Sequence, residues 1–265
     1  MFIIGELING MYKKVAQALS EKDATYIRAL AGAQVEAGAQ ALDINCGPMS
    51  RDIVGDLRWL VETVQKEVDV PLCLDSTKVQ AIEEGLKGAR VKCIINSSSA
   101  DKEKLDLYIP LAKKYQASLI ALTMDKKGVP GDKDRRLELA AQIIESACEY
   151  EFPIQDLYLD PILLPVNVAQ NQLFGILETI KDFKSIATPA VKTVLGLSNI
   201  SQGSKERSLI NRTFLVMAQA YGLDAAILDP LDGELMNSLI TAELVLNKNI
   251  YCDSYLEAYK KSKRV

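Results

Sequence analysis

An alternation constrains this chain more than anything else in it. Eight short runs of branched and small apolar residues read as strands: Phe2–Gly5, Ala41–Asn45, Leu72–Asp75, Lys92–Asn96, Leu119–Met124, Leu157–Asp160, Thr193–Leu197 and Ala225–Asp229. Between them the apolar positions recur at helical spacing, as in Tyr26, Leu30, Ala33, Ala37 and in Leu57, Leu60, Val61, Val64. Eight strand–helix units predict a (β/α)8 barrel, which typically takes about 250 residues. A doubly wound sheet is the alternative, but no Gly-x-Gly-x-x-Gly turn follows the first strand to favour it. No linker divides the chain, so one barrel domain over residues 1–265 is expected. Gly38, Gly85, Gly88 and Gly222 stand where helices are expected to stop, and Asp23, Ser76, Asp101 and Asp132 are expected N-caps. The segment 249–265, with Tyr251, Tyr255 and Tyr259 at helical spacing, is expected to pack on the barrel exterior.

Composition narrows the chemistry. Histidine is absent, which removes Ser-His-Asp and Cys-His catalysis and any histidine-containing zinc site. The 31 basic and 35 acidic residues leave no long basic block for nucleic acid, and no apolar run reaches the ~18 residues of a membrane span. The basic tail Lys260–Arg264 reads as a solvated end. The five cysteines form no Cys-x-x-Cys pair and read as reduced and structural, and no targeting segment precedes the first strand, which suggests a cytoplasmic protein without a metal of its own.

In a barrel the active site forms at the C-terminal ends of the strands. Here those ends supply Glu6 and Asn9, Asp43 and Asn45, Asp75 and Ser76, Asn96 and Ser97, Thr123 and Asp125, Asp160, Ser198 and Asn199, and Asp229. Single members of this set have plain alternatives: Asp125 and Asp229 as helix caps, Asn45 as a turn residue. Together the carboxylates and amides offer donors and acceptors at fixed geometry, which suits a flat heterocycle with an amino-pyrimidinone edge better than a phosphate.

Gly5-Glu6-Leu7-Ile8-Asn9-Gly10, Ala41-Leu42-Asp43-Ile44-Asn45-Cys46-Gly47-Pro48, Cys73-Leu74-Asp75-Ser76-Thr77, Ile95-Asn96-Ser97 and Asp160-Pro161 occur in this order in pterin-binding barrels. With Gly196-Leu197-Ser198-Asn199-Ile200-Ser201 and Leu209-Ile210-Asn211-Arg212-Thr213-Phe214, the chain resembles methyltetrahydrofolate:corrinoid/iron–sulfur protein methyltransferases from Met1 to about Tyr255. The folate domain of cobalamin-dependent methionine synthase is similar. The resemblance implies transfer of the N5-methyl group of methyltetrahydrofolate to Co(I) of a cobalamin (corrinoid) carried by a corrinoid/iron–sulfur protein, in the acetyl-CoA pathway, by a homodimer. It also implies that Asp75, Asn96 and Asp160 hydrogen-bond the pterin. Asn199, assisted by Ser198, would lie beside N5, and Gln202 and Arg207 toward the benzoyl-glutamate tail. Gly196, Met124 and Ile227 would line the faces of the slot. With no histidine, N5 activation falls to a network of Asn199, Asp75 or Asp160, and water. A demethylase corrinoid protein as partner, a dihydropteroate synthase and a non-catalytic folate-binding subunit are the competing readings. Arg212 reads as the member of a structural ion pair.

Overall fold

A computed structural model describes residues 1–262. Eight parallel strands close in sequence order: β1 (Phe2–Asn9), β2 (Ala41–Asn45), β3 (Leu72–Asp75), β4 (Cys93–Ser99), β5 (Ser118–Leu122), β6 (Leu157–Asp160), β7 (Lys192–Gly196) and β8 (Ala225–Leu228). Helices α1 (Lys13–Glu21), α2 (Ala24–Glu36), α3 (Ile53–Val64), α4 (Val79–Gly88), α5 (Lys102–Lys114) and α6 (Lys133–Glu149) accompany the first five strands. The rest carry α7 (Val166–Ala169), α8 (Leu173–Phe183), α9 (Arg207–Ala220), α10 (Gly233–Val245) and α11 (Tyr255–Ser262). The architecture is the (β/α)8 barrel that the alternation predicts. Tyr255, Leu256 and Tyr259 pack against the outer core as expected, whereas Tyr251 lies outside α11. Lys263 and Arg264 of the basic tail lie outside the described residues.

Two apolar layers hold the fold. The outer one packs strands against helices, and the inner one fills the barrel with Ile4, Ala41, Cys73, Ile94, Ile120, Tyr158, Val194 and Ala225. Because side chains alternate along a strand, the residue two places beyond each of these also points inward, one layer nearer the C-terminal mouth. That residue is Glu6, Asp43, Asp75, Asn96, Leu122, Asp160, Gly196 or Ile227. One barrel floor of apolar residues therefore carries a ring dominated by carboxylates and amides.

Local departures from the sequence expectation each have a reason. β1 and β4 run past Gly5 and Asn96 because each carries a register shift, between Gly5 and Ile8 and between Asn96 and Ser98, which re-aims the strand at its mouth end. Leu197 does not end a strand but opens a 3-10 turn over Leu197–Ser201. Gly85 lies inside α4, where an added Cβ would sit 3.0 Å from Leu74; it serves close helix–strand contact and not termination. Asp23 and Asp132 cap their helices, as do Asp52 and Asp232, which pattern reading did not single out. Ser76 instead accepts from the Lys78 N–H ahead of α4, and Asp101 turns to Ser99 and the Lys126 N–H.

Candidate active site

One wall of the mouth is a lateral row. Asn9, Asn45, Asp75 and Asn96 are neighbours in register across β1 to β4. The Asn45 amide donates to Asp75 Oδ2 at 2.6 Å, while its own Oδ1 accepts from the Gly47 N–H at 2.6 Å. Two residues back along β2, Asp43 accepts from Asn96 Nδ2 at 3.0 Å. Each of these cross-links holds one side chain and leaves polar capacity open: Asp75 Oδ1 and Asn96 Oδ1 remain for a ligand. The loops after β1 and β2 meet backbone to backbone. Gly47, at φ +71°, lies so close to Gly10 that a Cβ on Gly10 would fall 2.0 Å from the Cys46 carbonyl.

The opposite wall is the β7 end. Its 3-10 turn presents Ser198 and the exposed Asn199, and Ser198 Oγ donates to Glu6 Oε1 at 2.6 Å, joining β7 to β1. Gly196 gives this turn room: a Cβ there would sit 3.0 Å from Asn199 Nδ2. Gly196 also pairs in register with Ile227 of β8. Arg207 lies over the turn, its Nε donating to Ser201 Oγ at 3.2 Å, and Gln202 is exposed where the turn ends. Between the walls stands Asp160, 8% exposed. Its Oδ1 accepts from the Ile162 N–H at 2.7 Å, and Thr123 donates through both N–H and Oγ1 to its carbonyl. Met124, two residues past β5, is half-buried and its carbonyl accepts from the Ala100 N–H at 2.8 Å. Asp125 lies apart, on Arg135 and the Lys127 N–H, and Arg212 pairs with Glu234.

Burial pushes the carboxyls of this ring upward, two of them to about 7. Burial pushes Glu6 up to about 7; the Ser198 hydroxyl opposes this, the nearby Asp229 charge adds to it and Arg207 subtracts. Burial likewise pushes Asp160 up to about 7 against the Ile162 N–H. Asp43 is held well above the carboxylate range by burial and by the charge of Asp75, with Asn96 opposing. Burial raises Asp75, and Asn45 opposes. The site thus has acceptors, amides and carboxyls able to give or take a proton near pH 7, which makes up for the missing histidine.

Glu6, Asp43 and Asn45 had no assigned role in the sequence. Their functions follow from partners: Asn45 and Asp43 orient Asp75 and Asn96, and Glu6 backs Ser198. The signal that pointed to them was position alone, at strand ends. Among the described residues no group of His, Cys, Asp or Glu is arranged as a metal would require, and no helix is long and apolar enough to cross a membrane.

Comparison with known proteins agrees with this geometry. Dihydropteroate synthases share the fold: one from Coxiella burnetii in complex with pteroic acid superposes with a TM-score of 0.69 over 94% of both chains at 13% identity. Another, from Yersinia pestis, gives 0.67 over 93% of this chain and 94% of its own at 16% identity. In sequence, the chain is 29% identical over 99% of its length to a methylcorrinoid:tetrahydrofolate methyltransferase of Eubacterium limosum, covering 97% of that protein. It is 27% identical over 86% of its length to methionine synthase of Mycobacterium leprae, of which it spans only a fifth. The profile of pterin binding enzymes matches residues 6–229, from the carboxylate of β1 to the one that follows β8. The chain belongs to the pterin binding enzyme family.

Proposed function

We propose that this protein, a single barrel domain, transfers a methyl group between N5 of tetrahydrofolate and the cobalt of a corrinoid carried by a separate protein. The observation that supports this best is the ring of inward carboxyls and amides at the mouth, with two carboxyls titrating near 7 in a chain without histidine. Asp75, Asn96 and Asp160 are the pterin-edge residues in this reading, and their fixed orientation by Asn45, Asp43 and Ile162 supports it. Gly196, Met124 and Ile227 line the faces, and Asn199, with Ser198, follows the charge on N5. Gln202 and Arg207 lie on the side of the folate tail.

The chemistry requires a proton. When the methyl passes to Co(I), the C–N5 bond breaks, the nitrogen keeps the electron pair, and expelling it as an amide anion is costly unless N5 gains a proton. A positioned donor contributes ~10²–10⁴-fold to such a step. Glu6, pushed up to about 7 and bonded to Ser198 beside Asn199, is suited to supply it through water, alongside Asp75 and Asp160. Hydrogen bonds that strengthen as N5 becomes positive favour the transition state over the substrate. The protein itself needs no nucleophile.

The corrinoid/iron–sulfur protein of the acetyl-CoA pathway is the partner that the resemblance implies. The Eubacterium limosum relative favours a second reading: its name states transfer from a methylcorrinoid to tetrahydrofolate, as a demethylase system requires. The same groups serve both directions, with the proton leaving N5 in the second. Single-turnover assays with each corrinoid protein, in each direction, distinguish them; a rate with one partner at least tenfold above the other assigns it. Homodimer formation has available surface in the exposed Val216, Met217 and Val245 of α9 and α10, and sedimentation tests it. Five unpaired cysteines support a reducing, cytoplasmic setting.

A further inference from the structure

Arg136 is buried to 1% exposure, and none of its three hydrogen-bond acceptors is a carboxylate. Nε donates to the Pro161 carbonyl at 2.9 Å, Nη1 to the Asp132 carbonyl at 3.2 Å and Nη2 to Gln172 Oε1 at 3.1 Å. It stands near the N-terminus of α6, where the helix dipole disfavours a cation. Burial holds its guanidinium below the usual arginine range, yet an arginine does not give up its proton in a protein. A cation kept in so unfavourable a place needs a reason beyond filling space, since an apolar side chain of similar volume would pack there at less cost.

The acceptors suggest that reason. Pro161 directly follows Asp160, and Gln172 directly precedes α8, so one planar guanidinium fastens both ends of the connection that leaves β6. Within it Ile162 adopts φ +63°, a left-handed conformation that a β-branched residue occupies only when its surroundings impose it. The N–H of this same residue meets Asp160 Oδ1. Without the tether, Ile162 is free to relax and Asp160 to turn with it.

We propose that Arg136 is a positioning residue for the pterin site: it clamps residues 161–172 at both ends, holds the Pro161–Ile162 turn and so aims the Asp160 carboxylate into the barrel mouth. The proposal rests on the pterin reading of that mouth. Lysine cannot replace it, because a single ammonium does not span both acceptors in a fixed plane.

The test uses the full chain and tetrahydrofolate as the probe. Affinity is measured by calorimetry for wild type, Arg136→Lys and Gln172→Ala, with thermal melts and the single-turnover rate at saturating methyltetrahydrofolate alongside. Arg136→Lys weakens binding by roughly tenfold or more, as loss of hydrogen bonds from a charged group implies, and lowers the saturated rate with it, because Asp160 serves both the pterin edge and the proton network. Gln172→Ala leaves the cation in place and frees only the far end of the loop. It weakens binding by a smaller factor with little change in melting temperature. A purely structural tie would lower the melting temperature of Arg136→Lys and leave both affinities unchanged, which overturns the proposal. If Arg136→Lys does not fold, wild-type affinity in Gln172→Ala overturns it alone. A wild-type protein that binds no folate overturns the pterin reading and the proposal together.

Discussion

Asp160→Asn separates what the site costs the fold from what it does for the ligand. The substitution keeps the shape of the side chain and an oxygen for the Ile162 N–H, and removes only the charge. Burial moves the Asp160 carboxyl from 3.8 to about 7, so between these values the folded chain holds a proton that the unfolded chain has released. Stability therefore falls as pH rises through this window, and the cost is fully present above pH 7. At ~1.4 kcal/mol per pH unit the total reaches at most about 4 kcal/mol. Asp160→Asn should accordingly melt higher than wild type at pH 8, by up to roughly 10 °C for a chain of this size, and alike at pH 4. Folate affinity should move the other way. If Asp160 faces the pterin N–H edge as proposed, an accepting carboxylate is replaced by an amide that turns a donor toward that edge, which costs on the order of 10²-fold or more. Thermal melts from pH 4 to 9 and folate titrations at pH 7.5 read both effects. A stability difference that does not change with pH, or an affinity equal to wild type, refutes the reasoning.

Three further outcomes follow from the same geometry. Glu6→Gln should slow single-turnover methyl transfer by about tenfold or more and abolish the fall in rate expected of wild type as pH rises through about 7; an unchanged pH profile removes Glu6 as proton source. Asn199→Ala should leave folate binding largely intact while slowing transfer, and an unchanged rate takes Asn199 out of the chemistry. Asp75→Asn should lose both affinity and rate, because its one oxygen stays on the Asn45 amide and its NH2 turns a donor toward the ligand; wild-type affinity by titration contradicts its place on the pterin edge.

Strand count, barrel closure and the polar character of the mouth were legible because each is a property of consecutive residues. Alternation marks the strands, and the residue that ends each run is read directly. What stayed hidden depends on pairing. That Asn45 holds Asp75 and Asp43 holds Asn96 follows from register across β2, β3 and β4, and no single segment encodes it. The shift between Gly5 and Ile8, which re-aims Glu6, is a relation of β1 to β2 and not a pattern within β1. Arg136 was hidden for the opposite reason. In Asp132-Lys133-Asp134-Arg135-Arg136 it looks like one more charge on a solvated helix start, and only the fold shows that its neighbour Arg135 meets solvent-side carboxylates while it turns inward. The glycine at 85 misled because a glycine near a helix end usually terminates it, whereas here the need was contact with Leu74.

Methyl transfer between a folate and a protein-bound corrinoid can be read in one stopped-flow measurement. Methyltetrahydrofolate and the enzyme are mixed with a corrinoid protein reduced to Co(I), and the Co(I) absorbance is followed. It should decay to methylcobalt at a rate that depends on enzyme and falls as pH rises above about 7, with tetrahydrofolate formed in equal amount. Folate binding without any enzyme-dependent loss of Co(I), with corrinoid proteins of both kinds, would contradict methyl transfer.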